Sequence, residues 1–271
     1  MRQRIEALGQ IVEHFEPDIL AFQEITPENL AVLREQSWLS RFHSIPPRVT
    51  KQVAKSLENY IFSLYPVNKW FIYSYRTFLG RERQLVVAEA KSAVSSSLKF
   101  VVAGTHLEPA GENTRLRELQ LQELFTVLSA YENVCVMGDL NIEDKVDGEV
   151  VLPSPWIDAW LSLPGNIDSD GFTWDRNKSP FASVRNVNAK SYQARLDRVL
   201  GRLSDFKVKE MKVVGDKLTK SGLLPSDHFG VFTVIELSVD TGRKHDKNSQ
   251  TEQEVYFKRP QGWEKLIKQQ N

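Results

Sequence analysis

Glu24, His106, Asp139, Asn141, Asp197, Asp227 and His228 are the residues whose types and settings suit chemistry on a phosphate. Glu24 follows the apolar run ILAF, where a carboxylate calls for a partner. It suits either a hard divalent cation or a salt bridge at a strand end. Gly138 to Asn141 (GDLN) follows the apolar VCVM. The glycine permits a close turn, and the acid and the amide flank one residue. The bland alternative is a common Asp/Asn turn. Ser226 to His228 (SDH) precedes the apolar FGVFTVIEL. Its acid and imidazole could bind metal and move a proton, or simply form a solvated capping turn. His106 ends KFVVAGTH, placed either to donate to a phosphoryl oxygen or to sit satisfied in the core. Asp197, in RLDRV, could orient an imidazole or pair with Arg195 or Arg198. Together these oxygen-rich ligands, without cysteine, favour Mg²⁺ or Mn²⁺ over structural zinc. Acid and histidine beside such a metal fit phosphodiester hydrolysis.

The elements that must position these groups follow from periodicity. Ile5, Leu8, Val12 and Phe15 predict a helix from about Arg2 to Glu16, stopped by Pro17. Asp18 to Gln23 reads as a buried strand and Glu28 to Gln36 as a helix opened by Pro27. Residues 40 to 58 read as loop. Strands are predicted at Ile61 to Tyr65, Gln84 to Ala90, Leu98 to Leu107 and Val134 to Met137, the second and third forming a hairpin. Glu112 to Ser129 reads as a helix, and Trp156 to Leu161 as a short one. Arg195 to Leu200, Val208 to Val214 and Gly230 to Leu237 complete the strands. The catalytic acids and histidines thus fall at predicted strand ends, where one rim could gather them. The pattern implies one mixed α/β domain over residues 1–238, with helices covering sheets. The polar stretch 239–271 lacks the apolar content to order itself, apart from a helical turn or two near Gly262 to Gln270.

Composition narrows the function classes. The chain has 271 residues, enough for a sizeable core without stapling. Its single cysteine, Cys135, excludes an internal disulfide framework and suits a reducing compartment. Lys and Arg balance Asp and Glu at 35 each, which argues against wholesale polyanion binding but leaves room for local basic patches. No apolar run approaches the ~20 residues of a membrane span, and the first residues read as an amphipathic helix, not a leader.

In order and spacing, FQEIT, GTHLE, GDLN, RLDRV and SDHFG resemble the endonuclease/exonuclease/phosphatase superfamily, over about Ile5 to Leu237. ILAFQEITPENL, THLE followed by Arg117 and Gln120 on a helix, the DAW of Asp158 to Trp160, FTWD at Phe172 to Asp175 and LPSDHFGV are most similar to its 5′-tyrosyl-DNA phosphodiesterase branch. The resemblance implies an α/β (α+β) fold: a DNase I-like, four-layer α/β/β/α sandwich of two packed mixed sheets covered by helices. It implies that Glu24 holds the catalytic Mg²⁺ (Mn²⁺ substituting), with Asp227 near the metal and helping to place the nucleophile. Asp139 would orient or deprotonate the attacking water, and Asn141 would bind the scissile phosphate. His228 would stabilise the developing charge, its ring fixed by Asp197, while His106 contacts a phosphate oxygen. The implied reaction frees tyrosine from a DNA 5′-phosphate, in repair of topoisomerase II-linked breaks.

The implied partners are DNA ends with a 5′-tyrosyl adduct, expected to be single-stranded at that end, and the topoisomerase II remnant peptide. A monomer without membrane association, in the nucleus and also the cytoplasm, is the corresponding expectation. Residues 176 to 194 carry Arg176, Lys178, Arg185 and Lys190 with no acid, beside Trp174, Phe181 and Tyr192. That mix suits phosphates and an unpaired base, or a plain solvated loop. The sequence departs from the branch in three places. The family's first strand, with its Trp-Asn pair, has no counterpart before the helix at Arg2, so a domain lacking that strand is expected. Glu143 stands where a phosphate-contacting Arg is usual, and calls for a partner such as Lys145. Ser56 to Phe62 matches poorly. Two competing readings follow: another phosphoesterase of the superfamily, such as a nuclease or deadenylase, and a non-catalytic binding variant.

Overall fold

The computed structural model describes residues 1–46, 58–80, 82–91, 98–179, 181–182, 192–219 and 222–238. Helix α1 (Arg2–Phe15) buries Ile5, Ala7, Gly9 and Val12. It stops at Glu16, whose left-handed backbone (φ 45°) turns the chain into Pro17. Gly9 is required by packing: a Cβ there would lie 2.3 Å from Trp38 Nε1. Strand β1 (Ile19–Phe22) follows, then α2 (Pro27–Arg34). Thr26 caps α2 by accepting from Asn29 N–H at 3.2 Å, and Pro27 takes the first turn.

Strands β2 (His43–Ile45) and β3 (Tyr60–Ser63) join β1 in a three-stranded antiparallel sheet, ordered β1-β3-β2. A six-stranded mixed sheet holds β4 (Val67–Ser74), β5 (Gln84–Lys91), β6 (Lys99–His106), β7 (Asn133–Asp139), β11 (Asp197–Leu203) and β8 (Ile157–Asp158), in that order. Helix α3 (Thr114–Leu128) is the crossover that lets β6 and β7 run parallel. A one-turn helix α4 (Asp144–Asp147) follows β7. The short pair β9 (Trp174–Asp175) and β10 (Gln193–Ala194) stands apart, as does the pair β12 (Phe206–Val214) and β13 (Gly230–Leu237).

Alternation along β5 and β6 splits the core into two layers. Val86, Ala88 and Val102 face β1, β3, α1 and α2. Leu85, Val87, Val101 and Ala103 face Leu121, Leu124 and Leu128 of α3. Beyond them, Cys135 and Val199 pack against Met211 and the inward faces of β12 and β13. The result is the expected α/β/β/α layering, with the second sheet built as two antiparallel pieces.

Several predicted elements change. Trp156 to Leu161 forms no helix: Ile157–Asp158 pair with Leu200 and Gly201 instead. The reason is Asp158, which accepts from Trp160 N–H and draws the guanidinium of Arg195 to 2.8 Å. A six-residue helix cannot offset its nucleation cost against those contacts. Further strands were not foreseen: β2 in the expected loop, the eight-residue β4, and the short β9 and β10. The stretches 47–57, 183–191 and 239–271 lie outside the described residues.

Leu124 is fully buried between α3 and the six-stranded sheet. Leu124→Ala is expected to lower stability by about 2–5 kcal/mol in urea unfolding. A smaller loss would mean that the layer under α3 collapses freely around the deletion.

Candidate active site

Three neighbouring strands deliver three polar side chains in one row. The parallel register sets His106 beside Asp139, and the antiparallel register sets Asp197 on Asp139's other side. Gly138 makes that register possible, because a Cβ there would lie 1.9 Å from the backbone oxygen of Thr105. Hydrogen bonds then staple the rim. Leu107 N–H donates to Asp139 O at 2.9 Å, and Leu140 N–H to Leu196 O at 2.9 Å. Asn141, in the left-handed region (φ 51°), donates its backbone N–H to Asp139 Oδ1 at 2.9 Å. Its side-chain amide donates to Leu107 O at 3.1 Å. The Asp/Asn turn considered above is therefore present, but its acid is buried.

His228 arrives from the other layer, two residues before β13. Its Nδ1 lies 2.8 Å from Asp197 Oδ2, and its Nε2 lies 4.0 Å from Asp139 Oδ2. His106 Nε2 approaches the same Asp139 oxygen at 3.5 Å. Arg195 and Arg198 are engaged by Asp158 instead, so Asp197 serves the imidazole and not a neighbouring arginine. The indole of Trp174 meets the His228 ring edge-on, with centroids 4.6 Å apart. Asp227 is half-buried on the same loop and accepts from Ser226 Oγ at 3.3 Å. Glu24 lies exposed after β1 in a left-handed conformation (φ 56°), a strain seen at functional positions. Its neighbour Ile25 donates to Glu58 O at 3.0 Å.

Thr173, quoted within FTWD but given no role by the sequence, ties the parts together. Its hydroxyl accepts from Leu196 N–H (3.1 Å) and Asp197 N–H (3.0 Å), and its carbonyl accepts from Phe229 N–H at 2.7 Å. The one signal in the sequence was a hydroxyl set between the two aromatics of FTWD, and the structure buries it fully. Arg117 and Gln120 of α3 also point inward. Arg117 donates to the carbonyls of Glu108 and Ala110 and pairs with Asp147 at 2.5 Å. Gln120 accepts from Glu108 N–H and donates to Thr77 O. Both therefore hold the loop that follows His106. Arg176 is half-buried beside β9, and Arg185 lies outside the described residues. Glu143 is half-buried, and its carboxylate interacts with the Tyr192 hydroxyl, helping to raise that phenol's pKa behind the effect of burial.

Charge is unbalanced at this rim. Burial, then the charge of Asp197, pushes the Asp139 carboxyl up to about 7, with Glu24 adding to the effect and His228 opposing it. Burial works against a proton on His228, but Asp197 and then Asp139 and Asp227 outweigh it and raise the imidazole to about 9. The ligand atoms of Asp139, Asp197 and His228 lie within 4.8 Å of one another. Asp139, Asp197 and Asp227 act on one imidazole, and Glu24 acts on Asp139; these oxygen donors fit a hard divalent cation that would relieve their repulsion.

The family model described as the Endonuclease/Exonuclease/phosphatase family matches residues 1–228. A "5'-tyrosyl-DNA phosphodiesterase" of Caenorhabditis elegans is 25% identical over 238 residues. That match takes in 84% of this chain and 60% of the relative's length. Among solved structures, TDP2 from C. elegans superimposes with a TM-score of 0.69 at 25% identity, covering 85% of this chain and 68% of that one. A D. rerio TDP2 complexed with single-strand DNA product shares the fold, with a TM-score of 0.71 at 20% identity over 86% of this chain and 91% of that one.

Both raised groups bind protons more tightly folded than unfolded, so their contributions fade as pH rises. Asp139 loses its share between about 4 and 7, and His228 between about 6.5 and 9. In metal-free protein the melting temperature should therefore fall from pH 6.5 to 9, and His228→Gln should flatten that slope. An unchanged slope in the variant would remove His228 as its source.

Proposed function

The chain belongs to the Endonuclease/Exonuclease/phosphatase family, and we propose that within it the protein is a Mg²⁺-dependent phosphodiesterase that hydrolyses the 5′-phosphotyrosyl bond at DNA ends. The observation that carries the reading is the His106–Asp139–Asp197 row completed by His228. The activity for which the C. elegans relative is named supports the choice of substrate.

Glu24 and Asp227 would hold the Mg²⁺, with Mn²⁺ as a substitute. The metal would supply Lewis-acid stabilisation of the phosphoryl oxygens. Asp139, raised to about 7, is matched to accepting a proton from an attacking water near neutral pH. Its base strength exceeds that of a solvated carboxylate, while the Asn141 N–H keeps one oxygen oriented. His228 carries its proton on a ring whose Nδ1 is held by Asp197, leaving Nε2 to face the negative charge that develops on phosphorus. His106 flanks the same oxygen of Asp139 and offers a second contact to phosphate. Asn141 has given one amide hydrogen to Leu107 O, which fixes the direction of the other toward substrate. The leaving group is a phenolate, whose parent phenol has a pKa of about 10. It departs with little need for protonation, so charge stabilisation and positioning supply most of the rate.

Single-stranded 5′ ends suit the rim, since Trp174 is an aromatic neighbour of His228 and Arg176 follows it. The product would be a 5′-phosphate ready for ligation. The biological setting is removal of topoisomerase II remnants by a monomer working in the nucleus and also in the cytoplasm.

The test is tyrosine release from an oligonucleotide carrying a 5′-phosphotyrosine, with and without Mg²⁺. Asp139→Asn and His228→Gln should each lower kcat/KM by about 10²–10⁴-fold. Faster cleavage of internal phosphodiesters than of the tyrosyl bond would favour a nuclease. Binding without turnover would favour a non-catalytic variant. Arg176→Glu should weaken binding of a single-stranded oligonucleotide and reduce the slope of log K against log salt by about 1. An unaltered slope would place the strand elsewhere.

A further inference from the structure

Arg4 of α1 reaches the catalytic loop from 221 residues away. Its Nε donates to Pro225 O at 3.0 Å. Its Nη2 stands 3.9 Å from Asp227 Oδ1. Its guanidinium lies over the ring of Phe181, 5.1 Å from the centroid. The planar fork thus uses one edge for a carbonyl, a second nitrogen for a carboxylate and its face for an aromatic ring, which an ammonium cannot do. Among the described residues, Arg4 is the cation paired with Asp227.

The mounting at each end is rigid. Ile5 and Val12 anchor α1 in the core between the helices and the small sheet. Leu224 and Phe229, on either side of the loop's polar residues, are each only 1% exposed. Phe229 N–H is fixed to Thr173 O, and His228 Nδ1 to Asp197. The exit of the loop is therefore held by β11 and the FTWD segment, whereas its entry is held by the Arg4 hydrogen bond to Pro225 O, which keeps the guanidinium charge beside Asp227.

We propose that Arg4 is a positioning residue that sets Asp227 relative to His228, and that Phe181 seats its guanidinium. The proposal rests on the phosphodiesterase reading for its effect on rate, but its structural half stands on the contacts alone. Arg4 has no assigned contact with substrate, so it acts through Asp227 and the loop.

The experiment compares Arg4→Ala, Arg4→Lys and Phe181→Ala with the parent chain. Arg2→Ala serves as control, since Arg2 pairs with Glu35 on the exposed side of α1. Two readouts are taken: amide hydrogen exchange over residues 223–229, and kcat and KM for tyrosine release. Arg4→Ala should speed exchange at the Asp227 and His228 amides while leaving the buried strands protected. It should also lower kcat by about tenfold or more with little change in KM. Arg4→Lys should recover little of either, and added guanidinium should partly restore kcat to Arg4→Ala. Phe181→Ala should shift both readouts in the same direction by less. Unchanged loop exchange in Arg4→Ala, or full recovery by lysine, would overturn the proposal. If Arg4→Ala does not fold, Arg4→Lys carries the same decision, because it keeps the charge and loses the fork. A parent chain that releases no tyrosine sinks the enzymatic reading, and the exchange data still decide the role of Arg4.

Discussion

Gly138 and Thr105 touch where no side chain fits, and the site depends on that contact. A Cβ at Gly138 would lie 1.9 Å from the Thr105 oxygen, far inside van der Waals contact. The two parallel strands can therefore close on each other up to their last residues, which brings His106 level with Asp139. Since β7 also pairs with β11, the same alignment sets Asp197. A slip of one residue would turn each of these side chains to the opposite face of the sheet. The geometry of the site is a property of strand register, and the register is enforced by the apolar interiors of β6 and β7.

The energetic character of the rim is opposite to that of the core beneath it. Leu124, Leu128, Val134 and Val136 bury apolar surface without conflict. Above them Asp139 is desolvated beside another carboxylate, and its raised affinity for a proton records the cost. The protein tolerates that cost because neighbours restrain it from every side: Asn141, Leu107, Leu196 and Thr173 all belong to the stapling hydrogen bonds. Strained backbone at Glu24 and Asn141 belongs to the same pattern.

How much of this could be read from sequence depended on range. Local signals worked: Pro17 ended α1, Thr26-Pro27 opened α2, and the apolar run of residues 230–237 marked β13. The strand-end position of Asp139 and His106 followed from apolar runs that stop at polar groups. Non-local choices were less legible. Asp197 had arginines at both nearby positions, and only the tertiary fold shows that Asp158 takes them and leaves Asp197 to His228. Asp158 also overrode helix propensity in Trp156 to Leu161. Thr173 was overlooked because a single hydroxyl between aromatics has no periodicity, and its importance lies in which backbone groups it meets. Strand β4 was missed because VNKWFIYS alternates weakly and draws its support from β5.

Asp197 and His228 come from different sheets. Asp197 begins a strand of the six-stranded sheet, and His228 leads into the β12–β13 pair. Between those layers lie Val199, Met211, Val231 and Ile235. The 2.8 Å hydrogen bond at the rim is thus the reading of a caliper whose jaws are the two sheets and whose shim is that apolar filling. One methylene added to or removed from the filling changes the thickness of the sandwich, and the jaws transmit the change to the imidazole. Drift among these aliphatic side chains is consequently restricted by the alignment of Asp197 with His228 as well as by stability, although none of them belongs to that pair.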